Sequence, residues 1–233
     1  MVKIWATSDT HTRHRELDVP DVDMIIFAGD ATNSTKNKKL CISSAITEMN
    51  DFCDWFFNLK IKHKVFVSGN HDIVFNKPSL AYDKLFRENC IYLEHDHVEI
   101  EGINIFGSPW THKFSDLNWA FTKSKHKMGN VWENVPEVDI LVTHSPPART
   151  LSHTDDRDSG LIMDVGCKQL LNKIEEIKPK ICLYGHIHDG QWKRGQIINY
   201  GTLVRNGVFY YNCSAVTDRK NELKLNPGHI LEI

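Results

Sequence analysis

Five short apolar runs in this chain each end in a loop that carries Asp, Asn or His, and this placement constrains the fold more than any other feature. Val2–Thr7 runs into Asp9 and His11, Met24–Ala28 into Gly29-Asp30, and Val65–Ser68 into Gly69-Asn70-His71-Asp72. Ile140–Thr143 is followed by His144, and Ile181–Tyr184 by Gly185-His186-Ile187-His188. Runs this short and continuously apolar read as strands covered on both faces. In open α/β sheets the carboxyl ends of the strands border the ligand crevice. Five such loops therefore converge on one polar cluster drawn from distant positions.

Amphipathic segments alternate with these runs. Between the second and third, Ile42, Ile46, Met49, Cys53, Phe56 and Leu59 recur at helical spacing, which predicts a helix over Leu40–Leu59. A second helix is expected over Asp164–Ile177, with Asp164 near its start and Pro179 just beyond its end. Ile103–Gly107 and Val208–Asn212 are further strand candidates, whereas Thr111–Val135 is irregular and rich in Trp, His and Lys. The 233 residues contain no repeat, low-complexity tract or linker. Residues 1–233 are expected to form a single domain of layered α/β architecture.

Composition bears on partners. The net charge is −2 and no basic stripe is visible, which argues against a nucleic-acid partner but leaves nucleotides open. Met1–Thr10 lacks the form of a signal peptide, and no apolar stretch approaches a membrane span, so a cytoplasmic location without membrane contact is expected. Cysteines at 41, 53, 90, 167, 182 and 213 form no CxxC pair, which favours reduced core thiols over disulfides or a zinc ribbon.

The cluster offers carboxylates, an amide oxygen and several imidazoles but no thiolate. That mixture suits Mn, Fe, Zn or Co, with Mg as a weaker occupant, and Mn is the favoured reading. It holds too many donors for one ion that keeps a position open for substrate. Two ions at about 3.5–4 Å that share Asp30 use the donors economically. Singly, Asp9-Thr-His11, Gly29-Asp30 and Gly69-Asn70 read as turns, and His144 as an ordinary buried histidine. Gly185-His186-Ile187-His188 is more specific. With 13 Gly and 13 His in the chain, such a pattern arises by chance roughly 0.04 times. The ordered combination, each member after a strand, carries the inference.

These residues resemble the calcineurin-like metallophosphoesterase superfamily, whose signature runs DxH, GD, GNH(D/E), a lone His and GHxH. Within it the chain is most similar to the small metallophosphoesterase-domain proteins and the class III cyclic-nucleotide phosphodiesterases, through Gly107-Ser-Pro-Trp-Thr111, Ile140-Leu-Val-Thr-His-Ser-Pro-Pro147, Val165-Gly-Cys167 and Tyr184–Gly190. The resemblance implies a four-layer αββα sandwich of two mixed β-sheets flanked by helices. It implies Asp9, His11 and His188 at a first divalent metal, Asn70, His144 and His186 at a second, and Asp30 bridging. It also implies His71 as a catalytic residue beside the substrate, oriented by Asp72. Two positions depart from the pattern: Asn33 stands where many relatives carry an acid, and Asp72 where many carry Glu.

The expected reaction is in-line attack by metal-bound hydroxide on a small phosphodiester, with a nucleotide favoured as substrate. The alternative is a phosphomonoesterase such as a (deoxy)nucleoside monophosphatase. A nuclease or a non-catalytic metal-binding adaptor ranks lower. Residues 110–132 could cap the site and stack a base, or simply pack over a sheet. His112, His153 and Arg157 are candidates for phosphate contacts, Arg157 being more at home in a solvated salt-bridging loop.

Overall fold

The computed structural model describes residues 1–156, 159–192, 195–217 and 225–233. Arg157 lies outside the described residues. Eleven strands, numbered here in chain order, build the two large sheets. They are β1 (Lys3–Thr7), β2 (Met24–Ala28), β3 (His63–Val67), β4 (Ile91–Tyr92), β5 (Asp96–Ile100) and β6 (Ile103–Ser108). They continue with β7 (Ile140–Thr143), β8 (Ile181–Tyr184), β9 (Gly201–Arg205), β10 (Val208–Asn212) and β11 (His229–Glu232).

The first sheet has the order β11-β1-β2-β3-β4 and the second β9-β10-β8-β7-β6-β5. In the first, β1 to β4 run parallel and β11 closes the edge antiparallel, with Ile4 opposite Leu231. In the second, β6, β7, β8 and β10 run parallel, and β5 and β9 are antiparallel edges.

Side-chain alternation explains the layers. In β1 and β2, Ile4, Ala6, Met24, Ile26 and Ala28 face the other sheet and meet Ile105, Ile140, Val142 and Leu183. The opposite residues, Trp5, Ile25 and Phe27, face helix α1 (Ile42–Phe57). There Ala45, Met49, Phe52 and Phe56 form one buried face, spaced three or four residues apart. Helix α2 (Tyr82–Asn89) adds Tyr82 and Phe86 to the same core. On the far side of the second sheet, Phe106, Leu141, Cys182 and Tyr184 pack on α3 (Met128–Trp132) and α4 (Lys168–Ile177). Helix, sheet, sheet and helix thus enclose three apolar cores, the αββα sandwich that the resemblance implies.

The second helix starts later than its sequence suggests. Asp164 belongs to a short hairpin in which Ile162–Asp164 pairs with His153–Asp155, and its carboxylate accepts hydrogen bonds from Ser152 Oγ and the amides of Gly166 and Arg149. Those loop contacts engage the acid that would otherwise cap the helix, and α4 begins after Cys167. The irregular stretch after Thr111 holds a two-residue parallel ladder, Thr111–His112 on Thr122–Lys123, followed by α3. Among the described residues, no helix is long and apolar enough to cross a membrane.

Candidate metal centre

The carboxyl ends of β1, β2 and β3 meet those of β7 and β8 at one edge of the sandwich. Hydrogen bonds across the two sheets draw the loops together. His186 N–H donates to both carboxylate oxygens of Asp9, at 3.0 Å each, and His144 Nδ1 meets the Ala28 carbonyl at 2.9 Å. The chain enters these loops through left-handed backbone: φ is 49° at Asp9, 43° at His11, 56° at Asp30 and 69° at His186. Each such residue costs about 1–3 kcal/mol and persists only where its surroundings hold it. Here the Asp9 amide is bonded to the Gly29 carbonyl and the Asp30 amide to Asp72 Oδ2.

Asp9, His11 and His188 bring ligand atoms within 4.8 Å of one another, as do Asp30, His144 and His186. A third group of donors, His11, Asp30 and His71, links these two. Asp30 Oδ2 sits at the hub, 3.2 Å from His144 Nε2, 3.9 Å from His11 Nε2 and 4.0 Å from His71 Nε2. Asp30 Oδ1 is occupied by the His71 amide at 2.7 Å. Asn70 Oδ1 lies 3.0 Å from His144 Nε2, while its buried Nδ2 has no hydrogen-bond partner among the described residues. On the other side, Ser8 Oγ and Ser214 Oγ donate to Asp9 Oδ2, leaving Oδ1 facing His188 Nε2 at 3.3 Å.

This donor set fits divalent metal. His11, His71 and His144 each direct Nδ1 at a backbone carbonyl, of Thr32, Asn33 and Ala28 respectively. A carbonyl only accepts, so Nδ1 carries a proton in each, and with metal bound Nε2 of His11 and His144 would present its lone pair to the centre, the usual outer support of a metal-bound imidazole. His11 Nε2 and His188 Nε2 face each other at 3.3 Å, close enough to share either a proton or a metal ion.

The electrostatics agree. Burial alone would raise the pKa of Asp9, but the hydrogen bond with His188 and the charges of His144 and His188 bring it down to about 2. Burial likewise opposes ionisation of Asp30, and His144 and His71 outweigh it, holding this carboxyl well below its usual range. Burial lowers His11 to about 4 and His186 to about 3, helped by neighbouring imidazoles, so both present neutral rings. For His144 burial is overcome by Asp30, which raises the ring to about 9. A proton there stands in for the cation that the carboxylates demand.

Asp72 is fully buried below the loops. Its oxygens accept the amides of Gly69, Asp30 and Thr32 and the Thr32 hydroxyl. It therefore shapes the Asp30 loop, while the His71 ring is oriented by the Asn33 carbonyl at 2.7 Å. Burial, then the charge of Asp30, raises Asp72 to about 7. Asn33, at the position where relatives carry an acid, gives its amide to Glu48 of α1, as does Ser34.

Two contributions have no strong sequence signal. Asn199 donates to the carbonyls of His153 and His188 and accepts the His153 amide, tying the last ligand loop to the hairpin beside it. His153 is thus placed through its backbone and belongs to none of the donor groups. Trp119 lies against the His71 ring at 4.2 Å, and Phe114 against His186 at 5.1 Å. The amide of Ala120 pins this aromatic wall to the Asn70 carbonyl.

Residues 2–190 match the model of the calcineurin-like phosphoesterases. The chain belongs to this family. It is similar to human metallophosphoesterase domain-containing protein 1, at 30% identity over 97% of this chain and 69% of that protein. It is also similar to the Caenorhabditis elegans UPF0046 protein C25E10.12, at 31% identity over 89% of this chain and 75% of that one. Among solved structures, TT1561 of Thermus thermophilus superposes with a TM-score of 0.54 at 12% identity, covering 91% of this chain and 88% of that one, which is a likeness of fold. Family membership makes the chain a phosphoester hydrolase that works with divalent metal, and the donor groups at the sheet edge are its candidate ligands.

Proposed function

We propose that the protein is a phosphodiesterase of small, nucleotide-like diesters with two divalent ions, Mn favoured, at the sheet edge. The observation that carries this reading is the position of Asp30 Oδ2, shared between His11 and His71 on one side and His144 on the other. Asp9, His11 and His188 would hold one ion and Asn70, His144 and His186 the other, with Asp30 common to both. Bound ions supply water of lowered pKa and neutralise phosphate oxygens.

The protein's own groups do the rest. Asp72 and Ser214 keep Asp30 and Asp9 in place by hydrogen bonds to their loop and carboxylate. His71, whose side chain is 23% exposed at the mouth of the site, is positioned to give a proton from Nε2 to the departing oxygen. Phe114 is half exposed, and with Trp119 it offers a flat apolar wall beside His186 and His71. A planar base or aryl group stacks on such a wall, which supports a nucleotide over a compact alkyl ester.

The test is Mn-dependent hydrolysis of bis-p-nitrophenyl phosphate against p-nitrophenyl phosphate, with Asp30→Ala as control. A faster diester rate is expected. A faster monoester rate would replace this reading with a nucleoside monophosphatase, and turnover by neither route would leave the adaptor.

A further inference from the structure

Beside the metal centre lies a cleft that none of the roles above employs. The short ladder of Thr111–His112 on Thr122–Lys123 places His112 in the lining of a cavity of about 410 Å³, together with Lys125, Gly166, Lys168 and Gln169. His112 is 8% exposed, and among the described residues its ring has no hydrogen-bond partner. Its ring nitrogens reach the solvent of the cleft, where a ligand can meet them. The cleft adjoins the metal centre through the chain, since the Cys167 amide in its lining bonds the Pro146 carbonyl, two residues beyond His144, at 2.9 Å.

The other groups of this cleft favour an anion. Lys125 and Lys168 bring two ammonium groups to it. The amino end of α4, ten residues long and without a side-chain cap, opens on the same cavity and adds the positive end of the helix dipole. The one carboxylate in the lining, Asp164, is engaged by the Ser152 hydroxyl and two backbone amides.

We propose that this cleft is a second anion subsite, in which His112, Lys125 and Lys168 hold a phosphate group that the substrate carries in addition to the phosphoester being hydrolysed. The inference rests on the phosphodiesterase reading and sharpens it. A cyclic nucleotide with a single phosphate leaves the cleft empty. A nucleotide diester with a further terminal phosphate fills both places, its base against Phe114.

Calorimetric titration of the Mn-loaded full chain with thymidine 3′,5′-bisphosphate and with thymidine 5′-monophosphate tests this without relying on turnover. The bisphosphate is expected to bind roughly tenfold more tightly, as one charge-assisted phosphate contact warrants. Lys125→Gln and Lys168→Gln, both at exposed positions, each shrink that ratio. Lys84→Gln, on the remote helix α2, retains it. Equal affinities in the native protein, or a ratio unchanged in both cleft variants, would overturn the subsite. A bisphosphate preference in a protein that fails to hydrolyse bis-p-nitrophenyl phosphate would keep the subsite and remove the phosphodiesterase reading instead.

Discussion

His71 gives its Nδ1 proton to the carbonyl oxygen of Asn33 at 2.7 Å, so its ring is held by backbone where a carboxylate could have held it. A carbonyl fixes the tautomer and the direction of Nε2 without adding a charge. The side chain of Asn33 points elsewhere, to the His11 carbonyl at 3.1 Å. Asn33→Ala therefore keeps the His71 contact and loses less activity than His71→Ala. The latter is expected to retain its metals and lose about 10²–10⁴ in rate, the usual weight of a positioned acid or base. Metal content and Mn-dependent diester hydrolysis measure both. Unaltered kinetics in His71→Ala would show that this ring has no part in proton transfer.

Asp30 is the donor whose loss reaches furthest. Its Oδ2 faces three imidazoles, and its Oδ1 holds the His71 amide. Asp30→Ala removes the carboxylate proposed to be shared and frees the loop that carries His71. The variant should bind less than the native complement of metal and lose about three orders of magnitude or more in turnover. Elemental analysis after gel filtration, paired with kinetics, reports on both. A variant with native metal content and Mn-dependent rate would refute the shared role.

The metal-free protein has a pH signature of its own. Burial disfavours the charge on His144, yet Asp30 and Asp9 raise the folded-state pKa to about 9, above its ordinary value of 6.5. The stability this ring contributes is present in full below about 6.5 and fades as pH rises through 9. His11 and His186, lowered chiefly by burial, act in the other direction, and only below 6.5. Cys41 shares the upper window, because the Ser43 hydroxyl lowers its thiol to about 7. Asp72, raised to about 7, and the buried thiols of Cys182 and Cys213, raised by burial, lose stability in the same direction as His144. The comparison therefore belongs in a Cys41→Ser background and is read against the smaller drop expected of His144→Gln in that background. There, chelator-treated protein should melt lower at pH 9 than at pH 6.5. Metal displaces the His144 proton, so metal affinity should climb over the same interval. A metal-free melting point that rises towards pH 9 would contradict the assignment.

Much of this centre was legible because each candidate ligand follows closely on an apolar strand. The run from Met24 to Ala28 ends at Gly29-Asp30, and strand direction alone then carries Asp30 to the shared edge. Other features leave weaker traces. Strand β5 reads DHVEI, and as an antiparallel edge it buries only Ile100 and half of Val98, so no apolar run marks it. Helix α2 buries only Tyr82 and Phe86 of eight residues. The support of His71 by Asn33 is a backbone contact, which any residue type could make. Asp164 looked like a helix start because Asp favours such positions, but Ser152 and Gly166 compete for the same carboxylate and win.

Two glycines of the same chain are expected to respond to alanine with opposite sign. A Cβ on Gly185 would collide with Asp9 Oδ2 and Ser8 Oγ, and both residues are fully buried and hydrogen-bonded to each other. Neither can move outward, so Gly185→Ala must shift the Asp9 carboxylate or the backbone of the last ligand loop. Overpacking of this kind costs about 1–3 kcal/mol. Because it displaces Asp9, it should also weaken metal binding. Gly129 lies within α3, and nothing stands within 4 Å of where its Cβ would be. Gly129→Ala should therefore stabilise the protein by about 0.5–1 kcal/mol, through helix propensity and a less flexible unfolded chain. Thermal melts of the two metal-free variants beside the native protein read both signs. A Gly185→Ala protein that melts with the native one and binds metal normally would mean that the close approach of this loop to Asp9 is not required.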